Sequence, residues 1–93
     1  MEEEKIEEVN KKLVGRVTHY YGKIGVAVVE LQDELSVNDE IIIEGKVTNL
    51  RQKPPLSIQI EHKNVEVAKA GDSIGLKVNE KVRENDLVYK VVQ

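Results

Sequence analysis

From Leu13 onward, turn-forming residues interrupt this chain every eight to twelve residues, a spacing that suits short strands and leaves no room for long helices. Gly15, Gly22, Gly25, Asn38, Gly45, Pro54-Pro55, Asn64, Gly71 and Asn85 supply the punctuation. The apolar residues between them are mostly branched: fifteen Val and eight Ile stand against seven Leu and three Ala, with no Phe or Trp. Branched side chains suit a pleated surface and lose rotamer freedom in a helix. The expected fold class is therefore all-β, and an all-helical bundle is excluded.

The pattern predicts a first hairpin in which residues 13–21 pair with residues 23–31. Ile24, Val26 and Val28 share one face of its second strand, while Gly25, Ala27 and Val29 share the other. The small residues of that second face suggest close approach of another sheet. Residues 33–38 are expected as a connection and residues 39–44 as a strand centred on Ile41-Ile42-Ile43. Residues 46–52 are expected as a further strand with a bulge or bend, because Val47 and Leu50 fall on opposite faces, and Pro54-Pro55 ends it. Leu56, Ile58 and Ile60 alternate inward; Val65 and Val67 follow, then Ile74, Leu76 and Val78. Leu87, Tyr89 and Val91 are expected as the last inward face. Residues 1–12 are read as a charged lead-in, helical or disordered, since so short a helix is marginal in water. Residues 13–93 make one small domain.

Three segments echo one another: Val37-Asn38-Asp39-Glu40-Ile41, Ala70-Gly71-Asp72-Ser73-Ile74 and Glu84-Asn85-Asp86-Leu87-Val88. Each places a Gly or Asn, which tolerate positive φ, before an Asp able to bond a backbone N–H two residues on. The echo predicts a repeated strand-entry turn.

The absence of cysteine removes disulfides, thiolate zinc sites and a Cys nucleophile together. His19 and His62 lie far apart in sequence, so no metal-ligating pair is expected, and no cofactor. No Gly-rich phosphate loop is present. Ser36, Ser57 and Ser73 lack a nucleophile-elbow context. The chain is thus expected to bind and not to catalyse. No apolar run approaches the ~20 residues that span a bilayer, and the N-terminus is acidic where a secretory signal is basic. A cytoplasmic location without membrane contact is the expectation.

In order and spacing, Gly15-Arg16-Val17, the stretch from Leu35 to Ile43, Ala70-Gly71-Asp72-Ser73-Ile74-Gly75-Leu76 and Glu84-Asn85-Asp86-Leu87-Val88 resemble the second-domain β-barrel of translational GTPases such as elongation factor Tu. Asn38 and Asn85 stand where that family usually has Gly, and the GTP-binding domain is missing. The chain is similar to stand-alone elongation-factor-like proteins of this size. It is also similar to the barrel at the C-terminus of certain peptidase-like proteins implicated in RNA modification. The resemblance implies a small closed Greek-key-type β-barrel. It also implies a non-catalytic role in translation or RNA handling, with RNA or the ribosome as partner and no GTP bound. The alternative is a protein-interaction domain that docks on a separate enzyme or translation-factor partner.

Charge placement supplies candidate residues. Residues 30–44 carry six acids and no Lys or Arg, while residues 45–63 carry Lys46, Arg51, Lys53 and Lys63 against Glu61 alone. Lys46, Arg51, Lys53, His62 and Lys63 are the candidates for phosphate contact, with Tyr21 for base stacking. Alternation on a strand lets His19 and Tyr21, or Tyr20 alone, point outward; a Tyr plugging the barrel end is the structural alternative.

Overall fold

The computed structural model describes residues 10–92. The expected lead-in falls mostly outside them, but Lys11 and Lys12 already belong to the first strand. Ten strands follow in order: β1 (Lys11–Tyr21), β2 (Val26–Leu31), β3 (Leu35–Ser36), β4 (Ile41–Glu44), β5 (Asn49–Gln52), β6 (Ile58–Ile60), β7 (Lys63–Val65), β8 (Val67–Ala68), β9 (Ser73–Lys77) and β10 (Leu87–Val91). Eight of them form one sheet in the order β5-β4-β10-β1-β2-β9-β6-β7, and β3 pairs with β8 in a second, two-stranded sheet. All pairings are antiparallel. The all-β expectation holds for the described residues.

The closed barrel does not appear in the backbone ladder, which has free edges at β5 and β7. The sheet nevertheless curls, because Leu50 of β5 and Ile58 of β6 lie near opposite ends of the ladder yet share one core with Val17, Val29, Ile43 and Leu76. Side chains and loops join the curled ends. Gln52 is buried on edge strand β5; its Nε2 donates to the Lys77 carbonyl (3.0 Å) and its Oε1 accepts from the Asn79 N–H (2.9 Å). The Lys77 N–H donates to the Ser57 carbonyl (3.1 Å). The buried amide is thus satisfied at both ends and ties the β5 edge to the end of β9.

Small branched residues fill the core. Val14, Val17, Val29, Ile41, Ile43, Ile74, Leu76 and Val88 are almost fully buried, and the long connection after β9 adds Val78 and Val82 to the same cluster. Tyr20 is half-buried and packs against this cluster. The last strand differs from expectation: Val88 points inward, while Leu87 is exposed and Tyr89 half-buried. Register explains it, since Leu87 stands opposite outward-facing Arg16 and Val88 opposite buried Ile43. The bulge or bend expected within residues 46–52 is a bend at Lys46 and Val47, closed by the Gly45 N–H donating to the Thr48 carbonyl (2.9 Å), so the strand itself begins only at Asn49. Register shifts occur in β1, after Leu13 and after Val17.

The echoed segments are one device used three times. In each, the Asp N–H donates to the carbonyl three residues earlier: Asp39 to Ser36 (3.0 Å), Asp72 to Lys69 (3.0 Å) and Asp86 to Arg83 (3.1 Å). The Asp Oδ2 accepts from the N–H of that same earlier residue, at 2.8 Å in all three turns. The carboxylate therefore reaches back three residues, where two residues forward was expected. Gly71 (φ 95°) and Asn85 (φ 75°) take the left-handed conformation; Asn38 does not, and its N–H instead donates to Ser36 Oγ (3.1 Å).

Candidate docking surface

The acidic stretch is paired in part by Arg51 of the basic stretch and in part by lysines of β1. Arg51 on β5 hydrogen-bonds Glu40, and that bond, with the nearby positive charges of Arg51 and Lys53, holds the Glu40 carboxyl below the ordinary carboxylate range against the opposing effect of burial. Lys12 meets Asp33 at 2.7 Å and Lys11 meets Glu44 at 2.7 Å. The Lys12 hydrogen bond lowers the Asp33 carboxyl and, reciprocally, Asp33 raises the Lys12 ammonium. Lys11 also lies 4.7 Å from the centre of the Tyr89 ring, beside Ile42, which register places opposite Tyr89 and Arg51.

The sequence-derived candidates therefore scatter. Lys46 is exposed in the β4–β5 turn, in a shallow depression with Val47. Arg51 and Lys53 face Glu40 near the β5 edge. His62 sits with φ 66° in the turn between β6 and β7, and Lys63 opens β7 at the other edge of the ladder. Of the six, Tyr21 and His62 line one groove together.

That groove lies on the outer face of β2, β9 and β6 and has a volume of about 290 Å³. Its location follows from register. His19, Val28, Gly75, Gln59 and Asn64 form one row across five strands, and Tyr21, Val26 and Lys77 form the next. Tyr21 is 51% exposed and touches His19 edge-on with ring centres 4.3 Å apart. Ile24, 60% exposed, stands beside it in the turn between β1 and β2. Val26 and Val28 are half-buried with no second layer over them. The small-residue face packs as expected: Ala27 and Val29 are fully buried in the core that the curled sheet encloses, and the Ile24, Val26, Val28 face is the open one. Apolar residues on both faces of residues 24–31 were the signal for this surface.

Among the described residues no His, Asp or Glu group is arranged to hold a metal ion, and every buried side-chain polar atom has a partner. His19 meets Glu84 at 3.5 Å on the exposed surface. The groove is lined by Glu61, His62 and Ser73 among apolar neighbours, which suits contact between surfaces. No helix of the described residues is long and apolar enough to cross a membrane.

No protein-family model matches the chain. It is 46% identical over 76 residues, 82% of its length, to the uncharacterized protease MJ0090 of Methanocaldococcus jannaschii, of which the match covers 19%. It is 37% identical over 81 residues to a collagenase of Porphyromonas gingivalis, covering 86% of this chain and 22% of that protein. The chain thus spans about a fifth of the length of these relatives. Two solved structures share its fold. Both are the C-terminal domain of a Geobacillus thermoleovorans protein described as a U32 peptidase, with TM-scores of 0.77 and 0.76 at 21% and 20% identity, covering 85% and 83% of this chain and 91% and 96% of those chains. These matches overturn the resemblance to translational GTPases, and with it the translation and RNA-binding role. The turns that suggested it are Asp-closed strand entries, a local solution to chain reversal that does not distinguish one small β-domain from another. The secondary likeness, to the C-terminal portion of peptidase-like proteins, is the one these matches support.

Proposed function

We propose that this chain is a non-catalytic module that docks on the body of a peptidase-type protein. One observation carries the reading: 82% of the chain is matched at 46% identity, yet the match occupies only 19% of a relative named as a protease. In that relative about four-fifths of the length lies outside the match, which supports a module that works beside a larger body. The surface chemistry is compatible with the same reading, because Glu44, Asp33 and Glu40 are held in ion pairs with Lys11, Lys12 and Arg51.

The test is a graft. The chain replaces the matching 81 residues of the P. gingivalis collagenase, and collagen cleavage is measured for the graft, for the parent and for the isolated chain. The reading expects cleavage by the graft and none by the isolated chain. Cleavage by the isolated chain would overturn it.

A further inference from the structure

We propose that the groove walled by Tyr21 and Ile24 and floored by Gly75 is the docking surface, and that its occupant is an apolar side chain flanked by carboxylates on the body of a peptidase-type protein. This rests on the docking function argued above and names its site and the chemistry of its partner.

The glycine in the groove floor differs from the glycines that are packed tightly against a neighbour. Gly15 and Gly45 have no space for a side chain: a Cβ at Gly15 would lie 2.6 Å from the Glu30 carbonyl oxygen, and one at Gly45 would lie 2.7 Å from Asp86 Cγ. Gly75 is different. A Cβ there would meet Val26 Cγ1 at 3.4 Å and the Gln59 carbonyl oxygen at 4.0 Å, which is ordinary van der Waals contact, and its φ is outside the left-handed region. The strand accepts a side chain at this position, so the fold does not need the dip that Gly75 leaves between Val28 and Gln59. A large apolar side chain from another surface fills it.

The walls are apolar and the margin is basic. Tyr21 and Ile24 expose large apolar surface at one end, the kind of side chain that anchors an interface. Around them stand Lys23 in the adjoining turn, Lys77 opposite Val26, His62 in the β6–β7 turn and Lys63 at the start of β7, against Glu61, while Glu30 opposite Ser73 is paired with Arg16 and Glu84 meets His19. None of these lysines is in the ion pairs that neutralise Lys11, Lys12 and Arg51. An apolar centre with an unspent basic margin is complementary to an apolar partner residue edged by Asp or Glu. The relatives supply a partner of the required size, since some four-fifths of their length lies outside the matching portion.

The chain has no cysteine, so Ile24→Cys and, separately, Val47→Cys each introduce one thiol. Val47 is 70% exposed and lines a depression that shares no residue with the groove. Each variant is grafted in place of the matching 76 residues of the M. jannaschii protease, and maleimide labelling of that peptide is followed by mass spectrometry in the graft and in the isolated chain. The proposal expects labelling at Ile24→Cys to slow roughly tenfold or more in the graft, as a site must open before it reacts, while Val47→Cys labels at the same rate in both. Adding Gly75→Val, or Lys23→Glu with Lys77→Glu, should restore fast labelling at Ile24→Cys. Slowing at Val47→Cys with Ile24→Cys unaffected overturns the groove and leaves the docking function standing on another face. Unchanged labelling at both positions overturns both. The P. gingivalis collagenase is the second host for the same readout, and lack of protection at Ile24→Cys there also counts against the groove.

Discussion

The Asp86 carboxylate occupies the space that a side chain on Gly45 would need. Asp86 is 5% exposed and closes the turn into β10 by accepting from the Arg83 N–H, while Gly45 ends β4, the strand that pairs with β10. The strand end and the strand-entry turn are therefore fitted to each other. Gly45→Ala must displace Asp86 or bend β4, and a loss of about 1–3 kcal/mol is expected, the range of a collision that also breaks a buried polar contact. Chemical denaturation checks it; an unchanged midpoint would show that the two residues are not in contact.

The three Asp turns differ in burial, and this orders the effect of removing each carboxylate. Asp86 is buried, whereas Asp39 and Asp72 are half-buried. Asp86→Ala should destabilise most, and Asp39→Ala and Asp72→Ala by about 1 kcal/mol each, because water replaces a lost partner where it has access. Thermal unfolding of the three variants tests the order.

Gln52 is the side chain that joins the β5 edge to the end of β9. Gln52→Leu leaves the Lys77 carbonyl and the Asn79 N–H without their partner and should lower stability by about 1–3 kcal/mol, or roughly 4–8 °C in Tm per kcal/mol in a domain of this size. Faster exchange of the Asn79 amide should accompany it. An unchanged amide would mean that the curl holds without this bridge.

Acid should act through Glu40 and Asp33, whose folded carboxyls lie below the ordinary range because of Arg51 and Lys12. A carboxyl lowered in the folded state adds stability that is complete above its unfolded value and is lost as pH falls through the folded value. Tm should therefore decline below the ordinary carboxylate range. Arg51→Gln should flatten that decline, and added salt should shrink the difference, since both pairs are solvent-accessible. A decline identical in the variant would remove Glu40 from the account.

Much of the fold was legible in the sequence. Turn spacing and branched residues gave the strands, and the echoed Asp segments gave the turns, because both depend on local chemistry. What the sequence hid is pairing across distance. Leu35–Ser36 read as connection because a two-residue strand carries no alternation. The inward face of β10 was misread because apolar residues occupy both of its faces, so register alone decides. The surroundings of the basic candidates are hidden for the same reason: Arg51 and Lys53 stand near Glu40 only once β4 and β5 pair. Tyr21 and His62 are 41 positions apart and meet only through the β2–β9–β6 arrangement.

The central claim is that this module is energetically coupled to a peptidase-type body. The most direct measurement is thermal unfolding of the chain alone and of the same chain grafted into the M. jannaschii protease, followed by exchange of the core amides of Val29 and Leu76. Binding to the folded state alone raises stability by linkage. The account predicts that these amides open at a higher temperature in the graft than in the isolated chain, and that Ile24→Glu removes the difference. Opening at the same temperature in both would contradict it.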